Sequence, residues 1–212
     1  MSLILDLIFP KTCLGCGQKH LYFCSNCLSR QTRNSIQYLS KKPNLEGILN
    51  IFKYNSIIKQ GIVELKYNFV TDLIDELTTI SALEIEKNFP HLLEYWHQNN
   101  FVLVPIPLHS YRQNWRGFNQ SVLLGQSLSQ KLKLDFSQDF LIRVKNTHPQ
   151  AKFINKSQRK SNLENAFSYV GTPPQNIILF DDVCTTRSTF NSALKTLNFS
   201  AQIHCWYLSL AG

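Results

Sequence analysis

The segment that most constrains the fold of this chain runs from Ile177 to Thr189 and reads IILFDDVCTTRST. Its four leading apolar residues predict a strand that is buried on both faces of a parallel sheet. Two carboxylates and several hydroxyls follow, and Thr189 to Leu197 has the pattern of a helix. A strand, a loop and a helix in this order predict a ligand site, because ligands in such sheets bind at the carboxyl ends of strands.

The polar side chains of this loop match the two ends of a phosphorylated sugar. Backbone N–H groups at the start of a helix bind phosphate. Asp181 and Asp182 can accept hydrogen bonds from vicinal ribose hydroxyls. Hydroxyl donors for the phosphate are available on Thr185, Thr186, Ser188 and Thr189. The alternative is that the carboxylates merely begin a turn and that Thr189 caps the helix.

The remaining apolar patterns predict an α/β fold with a doubly wound, mostly parallel sheet. Short apolar runs separated by longer segments of helical periodicity are typical of that architecture. We expect strands over 48–54, 101–106, 176–180 and 202–208. We expect helices over 56–68, from 73 to a stop before Pro90, over 119–134 and over 189–197.

Four of the six cysteines form two pairs near the amino terminus, Cys13-x2-Cys16 and Cys24-x2-Cys27. Two such pairs place four thiolates around one tetrahedral ion with no position open for a substrate, which predicts structural zinc. A redox pair is the alternative, and His20 could replace one cysteine as a ligand. We expect a zinc-finger module over residues 1–40 and an α/β domain over 41–212.

Basic residues exceed acidic ones by 22 to 14, which gives the chain a formal net charge of +8. The excess is concentrated between Arg112 and Lys160, where Asp135 and Asp139 are the acids. The bases of this stretch are Arg112, Arg116, Lys131, Lys133, Arg143, Lys145, Lys152, Lys156, Arg159 and Lys160. A solvated surface is one explanation, but so long a bias favours contact with phosphates or nucleic acid.

The sequence has no apolar run of the roughly 18 to 20 residues that a membrane-spanning helix needs. The opening MSLILDLIFP carries Asp6 and lacks a basic leading region, so we do not expect a secretory signal. A cytoplasmic protein is therefore expected, and a peripheral position at the inner membrane is compatible with the sequence.

The loop from Asp181 to Thr189 resembles the ribose-phosphate motif of type I phosphoribosyltransferases. It departs from that motif at Arg187, where the family has glycine. If the position needs a positive φ angle, arginine is strained there. The resemblance implies that phosphoribosyl pyrophosphate is bound by Asp181, Asp182, Val183, Cys184, Thr185, Thr186, Arg187, Ser188 and Thr189.

Further motifs extend the resemblance over nearly the whole chain. Val104 to Gln120 reads VPIPLHSYRQNWRGFNQ, and Arg143 to Phe167 carries spaced R, K, T, Q, R, N and AF. Together with the cysteine pairs, these motifs resemble the competence protein F (ComF) family. That resemblance implies a phosphoribosyltransferase-type fold with an amino-terminal zinc module, in bacteria that take up DNA by natural transformation.

The resemblance also implies roles for individual residues. It places Leu108, His109 and Arg112 on the loop that holds the diphosphate, whose charge is usually balanced by Mg²⁺. It places Arg116 close behind them, and Arg143, Lys145, Gln150 and Arg159 on the long loop that closes over the site. Lys152, Lys156 and Lys160 join them through the basic charge of this stretch, and we expect the basic residues to contact diphosphate or nucleic acid. Lys66 matches a lysine of the family to which the sequence gives no role.

These observations predict a competence protein that binds phosphoribosyl pyrophosphate and single-stranded DNA. A DNA-translocating helicase or an inner-membrane DNA channel would be its partner. The alternatives are a nucleotide-salvage phosphoribosyltransferase acting on a nucleobase and a scaffold that binds the ligand without turnover. No catalytic base and no acceptor can be named from the sequence. Aromatic partners for DNA bases could be Tyr111, Trp115 or Phe153.

Overall fold

The computed structural model describes residues 10–39, 44–108, 117–144, 166–197 and 203–212. Its centre is a six-stranded sheet in a mixed α/β structure. The strands of this sheet are β1 (Gln37–Tyr38), β2 (Leu45–Phe52), β3 (Val102–Pro105), β4 (Asp135–Phe136), β7 (Asn176–Val183) and β8 (His204–Ala211). A separate antiparallel pair is formed by β5 (Leu141–Arg143) and β6 (Phe167–Tyr169).

The strands of the large sheet follow the order β1-β2-β8-β7-β3-β4. All neighbouring pairs are parallel except β1 and β2. The carboxyl ends of the five parallel strands therefore meet at one edge of the sheet. This edge is called the carboxyl edge below.

The described residues form helices α1 (Ser25–Ser29), α2 (Ser56–Tyr67), α3 (Leu73–Asn88), α4 (Pro90–Gln98), α5 (Gln120–Leu132) and α6 (Ser188–Leu197). Helix α5 packs Leu124 and Leu128 on the face of the sheet that carries Phe180. Helix α6 packs Phe190 into the second cluster of the core, with Leu179. The two helices thus cover opposite faces.

The two crossovers β3-α5-β4 and β7-α6-β8 run in opposite directions from the neighbouring strands β3 and β7. Right-handed crossovers that diverge in this way place their helices on opposite faces of the sheet. The chain connections that follow β3 and β7 therefore diverge at the carboxyl edge. This is the switch point at which open α/β sheets bind ligands.

The apolar run of β7 is buried on both faces, as predicted: Ile177, Ile178, Leu179 and Phe180 are each 0% exposed. The predicted α/β fold with a mostly parallel sheet is confirmed. Strand β7 is longer than predicted, because Asp181 and Asp182 still pair with β8 through the contact of Asp181 with Ser209. The carboxylates are therefore fixed by a strand rather than held on a loop.

Helix α4 was not predicted. Pro90 was correctly interpreted as the end of α3, which stops at Asn88. Proline is also favoured at the first position of a new helix, because that position needs no N–H donor. Here Pro90 begins α4, which buries Leu92 and Trp96.

The cysteine-containing segment packs against α2 and α3. A Cβ atom on Gly61 of α2 would lie 2.7 Å from the Phe23 ring, so only glycine allows this contact. The backbone N–H groups of Tyr22 and Phe23 donate to Glu76 of α3 at 2.8 and 3.2 Å. The division of the chain near residue 40 stays a prediction.

Among the described residues, no helix combines the length and the apolar character needed to cross a bilayer.

Candidate functional site

The carboxyl edge brings together the acidic residues predicted to bind a sugar and the start of α6. Asp181 and Asp182, called the acidic pair below, end β7, and Leu108 follows β3, the neighbouring strand. The other predicted residues of the diphosphate and nucleic-acid sites lie outside the described residues, apart from Arg143. They are His109, Arg112, Arg116, Lys145, Lys152, Lys156, Arg159 and Lys160, and the same holds for Tyr111, Trp115 and Phe153.

Asp182 forms an ion pair with Lys66 in the last turn of α2. The Lys66 Nζ and Asp182 Oδ2 atoms are 2.7 Å apart, and Asp182 is only 6% exposed. Burial alone would lower the pKa of Lys66. The carboxylates of Asp182 and Asp181 have the larger combined effect, so the pKa of Lys66 is raised. Lys66 is thus a fixed cation beneath the acidic pair, a role that its sequence alone did not indicate.

Asp181 is held by neutral donors instead. Its Oδ1 atom accepts hydrogen bonds from Ser121 Oγ at 2.9 Å and from the backbone N–H of Asp182 at 2.9 Å. Burial and the neighbouring charge of Asp182 raise the pKa of Asp181 to about 7, against the lowering effect of Lys66. Asp181 can therefore change its protonation state near neutral pH.

The acidic pair combines one carboxylate neutralised by lysine with a second carboxyl group that titrates. Two adjacent carboxylates repel each other, so a cation at one of them is what allows the other to ionise. Ionised carboxylates offer only acceptors, which suits vicinal hydroxyl groups. Ser121 was missed by the sequence analysis, although it follows Asn119, whose side chain caps α5 by accepting from the Ser121 N–H at 3.1 Å.

The loop between β7 and α6 has the donors that a phosphate needs. Thr185 and Thr186 are exposed, and Thr186 Oγ1 lies 3.0 Å from Ser188 Oγ. The first N–H groups of a helix have no partner within the helix, and they carry its positive dipole end. Helix α6 begins at Ser188, so its first turn is part of the same edge.

Arg187 has a left-handed backbone, with φ at 56°. The position therefore has the conformation that favours glycine, and arginine there stores strain of about 1 to 3 kcal/mol. Its Nη2 atom donates to Gln37 Oε1 of β1 at 2.6 Å. Arg143 lies on the separate β5-β6 pair, where its guanidinium group is 5.3 Å from the centroid of the Phe167 ring.

The four amino-terminal cysteines converge in space. Their Sγ atoms all lie within 4.8 Å of one another, and those of Cys16 and Cys24 are 3.6 Å apart. A tetrahedral zinc with Zn–S bonds of about 2.3 Å needs sulfur separations of about 3.8 Å. The cluster contains Cys13, Cys16, Cys24 and Cys27, and His20 is not among them. The geometry fits a structural metal such as zinc.

Local features of the backbone support this cluster. A Cβ atom on Gly15 would lie 2.7 Å from the Cys27 sulfur, so glycine is needed for the thiols to approach. The Cys24 sulfur and partial burial raise the pKa of Cys27 to about 12. Four thiolates at these distances therefore need a cation among them, which is what a divalent metal supplies.

No family model matches the chain. Competence protein F of Haemophilus influenzae is 37% identical over 211 residues, which cover 94% of this chain and 84% of that protein. The chain belongs to the competence protein F family. DNA utilization protein YhgH of Escherichia coli is 29% identical over 177 residues, covering 80% of this chain and 74% of that protein. Competence protein ComFC of Bacillus subtilis is 30% identical over 150 residues, covering 70% and 56%.

Removal of the metal should unfold the cysteine module locally. Four thiols without a cation cannot hold the backbone around Cys13 and Cys24, because so short a segment buries little apolar surface. Limited proteolysis in excess chelator should cut between residues 10 and 30 while the sheet stays intact. Elemental analysis without zinc, together with unchanged protease resistance, would contradict this prediction.

Replacement of Lys66 by methionine should destabilise the protein strongly. It leaves the buried Asp182 carboxylate without its cation, a change that typically costs about 3 to 5 kcal/mol. Lys131 is the matched control, because its ion pair with Asp75 is similarly short at 2.8 Å but the Asp75 side chain is 81% exposed. Lys131→Met should cost about 0 to 1 kcal/mol in urea denaturation. Equal losses of unfolding free energy for the two variants would show that the Lys66 ion pair stabilises the protein no more than an exposed ion pair does.

Folding stability should fall as pH rises from about 4 to about 7, owing to Asp181. The folded protein holds the Asp181 proton up to a pH of about 7, whereas the unfolded chain loses it near about 3.9. Asp181→Asn should flatten this part of the stability profile, and Asp75→Asn should not. Urea denaturation at pH 5 and pH 8 measures the free energy of unfolding of the parent chain and of both variants. An identical change with pH in all three proteins would exclude the effect.

Proposed function

We propose that this chain is a competence protein of the ComF type that acts in DNA uptake during natural transformation. On this proposal its α/β domain, residues 41–212, has a phosphoribosyltransferase-type fold that binds phosphoribosyl pyrophosphate with Mg²⁺. The same domain, together with the zinc module, binds single-stranded DNA. The names of the relatives concern competence and the utilization of DNA, which supports a role in handling DNA.

The observation that carries the ligand assignment is the position of the acidic pair. Asp181 and Asp182 lie at a switch point of a parallel sheet, one loop away from the start of α6. A pentose bound there would place its hydroxyls on the carboxylates and its phosphate on the first turn of the helix. The ligand would thus lie across the loop that resembles the ribose-phosphate motif.

The diphosphate of the ligand needs cations, because negative charge grows on pyrophosphate as it leaves the sugar. Mg²⁺ would supply most of this charge, with Leu108 beginning the loop that contacts it. His109, Arg112 and Arg116 follow on that loop in the sequence. Pentosyl transfer is compatible with this arrangement, but no described residue is placed as a base for an acceptor.

Single-stranded DNA would bind to the basic stretch of the chain. Binding by Lys152, Lys156, Arg159 and Lys160 would release counterions, so affinity should fall steeply with salt. A helicase or membrane channel that moves the strand would then be the partner.

The second candidate is a nucleotide-salvage transferase, which the acidic pair alone would equally favour. Such an enzyme should release pyrophosphate when it is offered phosphoribosyl pyrophosphate and a common nucleobase. Arg187 favours a third candidate, a protein that binds the ligand without turning it over. The backbone at this position has a conformation that glycine adopts more easily, so arginine is strained in the loop.

Asp181→Asn should weaken the binding of phosphoribosyl pyrophosphate with Mg²⁺ by about ten- to a hundredfold. The reason is that hydrogen bonds to a charged acceptor contribute about 1.5 to 3 kcal/mol each. Isothermal titration calorimetry measures the affinity, and Asp75→Asn on the exposed face of α3 is the control. Unaltered affinity in a folded variant would remove the sugar assignment.

A further inference from the structure

Two loops carry a pair of aromatic rings close in sequence to the side chains that contact the acidic pair. Phe69 lies three residues after Lys66, and Phe118 lies three residues before Ser121. Their ring centroids are 6.1 Å apart with an angle of 78° between the planes. These two rings are called the aromatic pair below. Three residues span at most about 10 Å, so the backbone of each ring residue lies within that distance of a residue that contacts Asp181 or Asp182.

One ring of the pair is anchored and the other is presented to solvent. Phe118 is partly buried against the core. Phe69 is 43% exposed, and the nearby Tyr67 at the end of α2 is 55% exposed. Phe69 thus keeps a solvent-facing surface while it contacts Phe118.

The backbone of Phe69 is strained. Its φ angle is 58°, a conformation in which a bulky residue is a genuine outlier. Glu64 supports the turn: its backbone oxygen accepts from the N–H groups of Asn68 and Val70 at 3.0 and 3.5 Å, and its side chain accepts from Asn68 Nδ2 at 2.6 Å. Strain that the surroundings maintain in this way concentrates at ligand sites.

We propose that the aromatic pair stacks on a nucleobase at the carboxyl edge. This inference rests on the proposed function, because the acidic pair would hold the sugar and α6 the phosphate. The exposed ring of Phe69 would then supply the surface for the third part of a nucleotide. Stacking on an aromatic ring tolerates any base, since every base has a π face. The base belongs either to a single strand of DNA or to a free nucleotide.

Phe69→Gly separates stacking from folding. Glycine adopts a positive φ without strain, so the variant should fold with stability equal to or above that of the parent chain. Its affinity for a fluorescent oligothymidylate should fall by about five- to a hundredfold, the range that one aromatic stack contributes. Fluorescence anisotropy measures this affinity, and thermal melting measures the stability.

Asn100→Gly is the matched control. Asn100 also has a positive φ, at 51°, but it precedes β3 and so lies at the amino edge of the sheet. This variant should relieve strain in the same way and leave oligothymidylate binding unchanged. An equal loss of oligothymidylate affinity in both variants would show that the change of backbone, and not the loss of the ring, weakens binding, which would overturn the proposal.

Two further probes identify where the base comes from. A strand of equal length without bases should bind equally to the parent chain and to Phe69→Gly. If the variant loses affinity for oligothymidylate but not for thymidine monophosphate, the base belongs to a strand. If it loses affinity for both, the site takes any nucleotide. Unchanged affinity for both probes, or an equal loss for the strand without bases, would overturn the stacking role.

Titration with phosphoribosyl pyrophosphate tests the sugar assignment separately from the stacking role of Phe69. Phe69→Gly should bind that ligand with unchanged affinity, because the ligand has no base. If the parent chain does not bind it either, the sugar assignment fails. A fall in oligothymidylate affinity in the variant would still support stacking in that case.

Discussion

The ion pair between Lys66 and Asp182 is the interaction on which the carboxyl edge depends. Two adjacent carboxylates in a buried position would otherwise repel each other and take up protons. Lys66 Nζ lies 2.7 Å from Asp182 Oδ2 and places a positive charge against the pair. The other carboxylate, Asp181, lies beside Ser121 and has its pKa raised to about 7 by burial and by Asp182. On the proposed function, ligand binding at this edge would therefore be coupled to the protonation of Asp181.

Helix α2 connects this ion pair to the cysteine module. Its first residues pack near Gly15, and Gly61 in its middle receives the Phe23 ring. Lys66 stands in its last turn. A helix of 12 residues is about 18 Å long, so a single rigid element carries contacts at both places. A metal bound by the cysteines would thereby also support the position of the lysine.

The parts of the structure that the sequence predicted are those with a strong local pattern. The run from Ile177 to Phe180 is apolar without interruption because both faces of β7 are covered. The spacing of the cysteine pairs is dictated by the reach of two thiols around one ion. The helical periodicity of α2 and α3 follows from one buried face each. In these segments the local structure can be predicted from residues that are neighbours in the sequence.

The parts that the sequence did not predict depend on residues far apart in the chain. Lys66 and Asp182 are separated by more than a hundred positions, and nothing near Lys66 indicates a carboxylate partner. Ser121 likewise needs the sheet order to reach Asp181. Helix α4 was missed for a local reason, since proline both ends one helix and begins another.

Arg187 shows how such long-range contacts change the meaning of a motif. Its left-handed backbone reproduces the conformation that glycine would adopt in the loop before α6. Its guanidinium group donates to Gln37 of β1 at 2.6 Å, and this hydrogen bond offsets part of the strain. Glycine would remove both the strain and the contact and leave the loop more mobile. The arginine therefore ties the loop at the end of β7 to β1, a contact that glycine could not make.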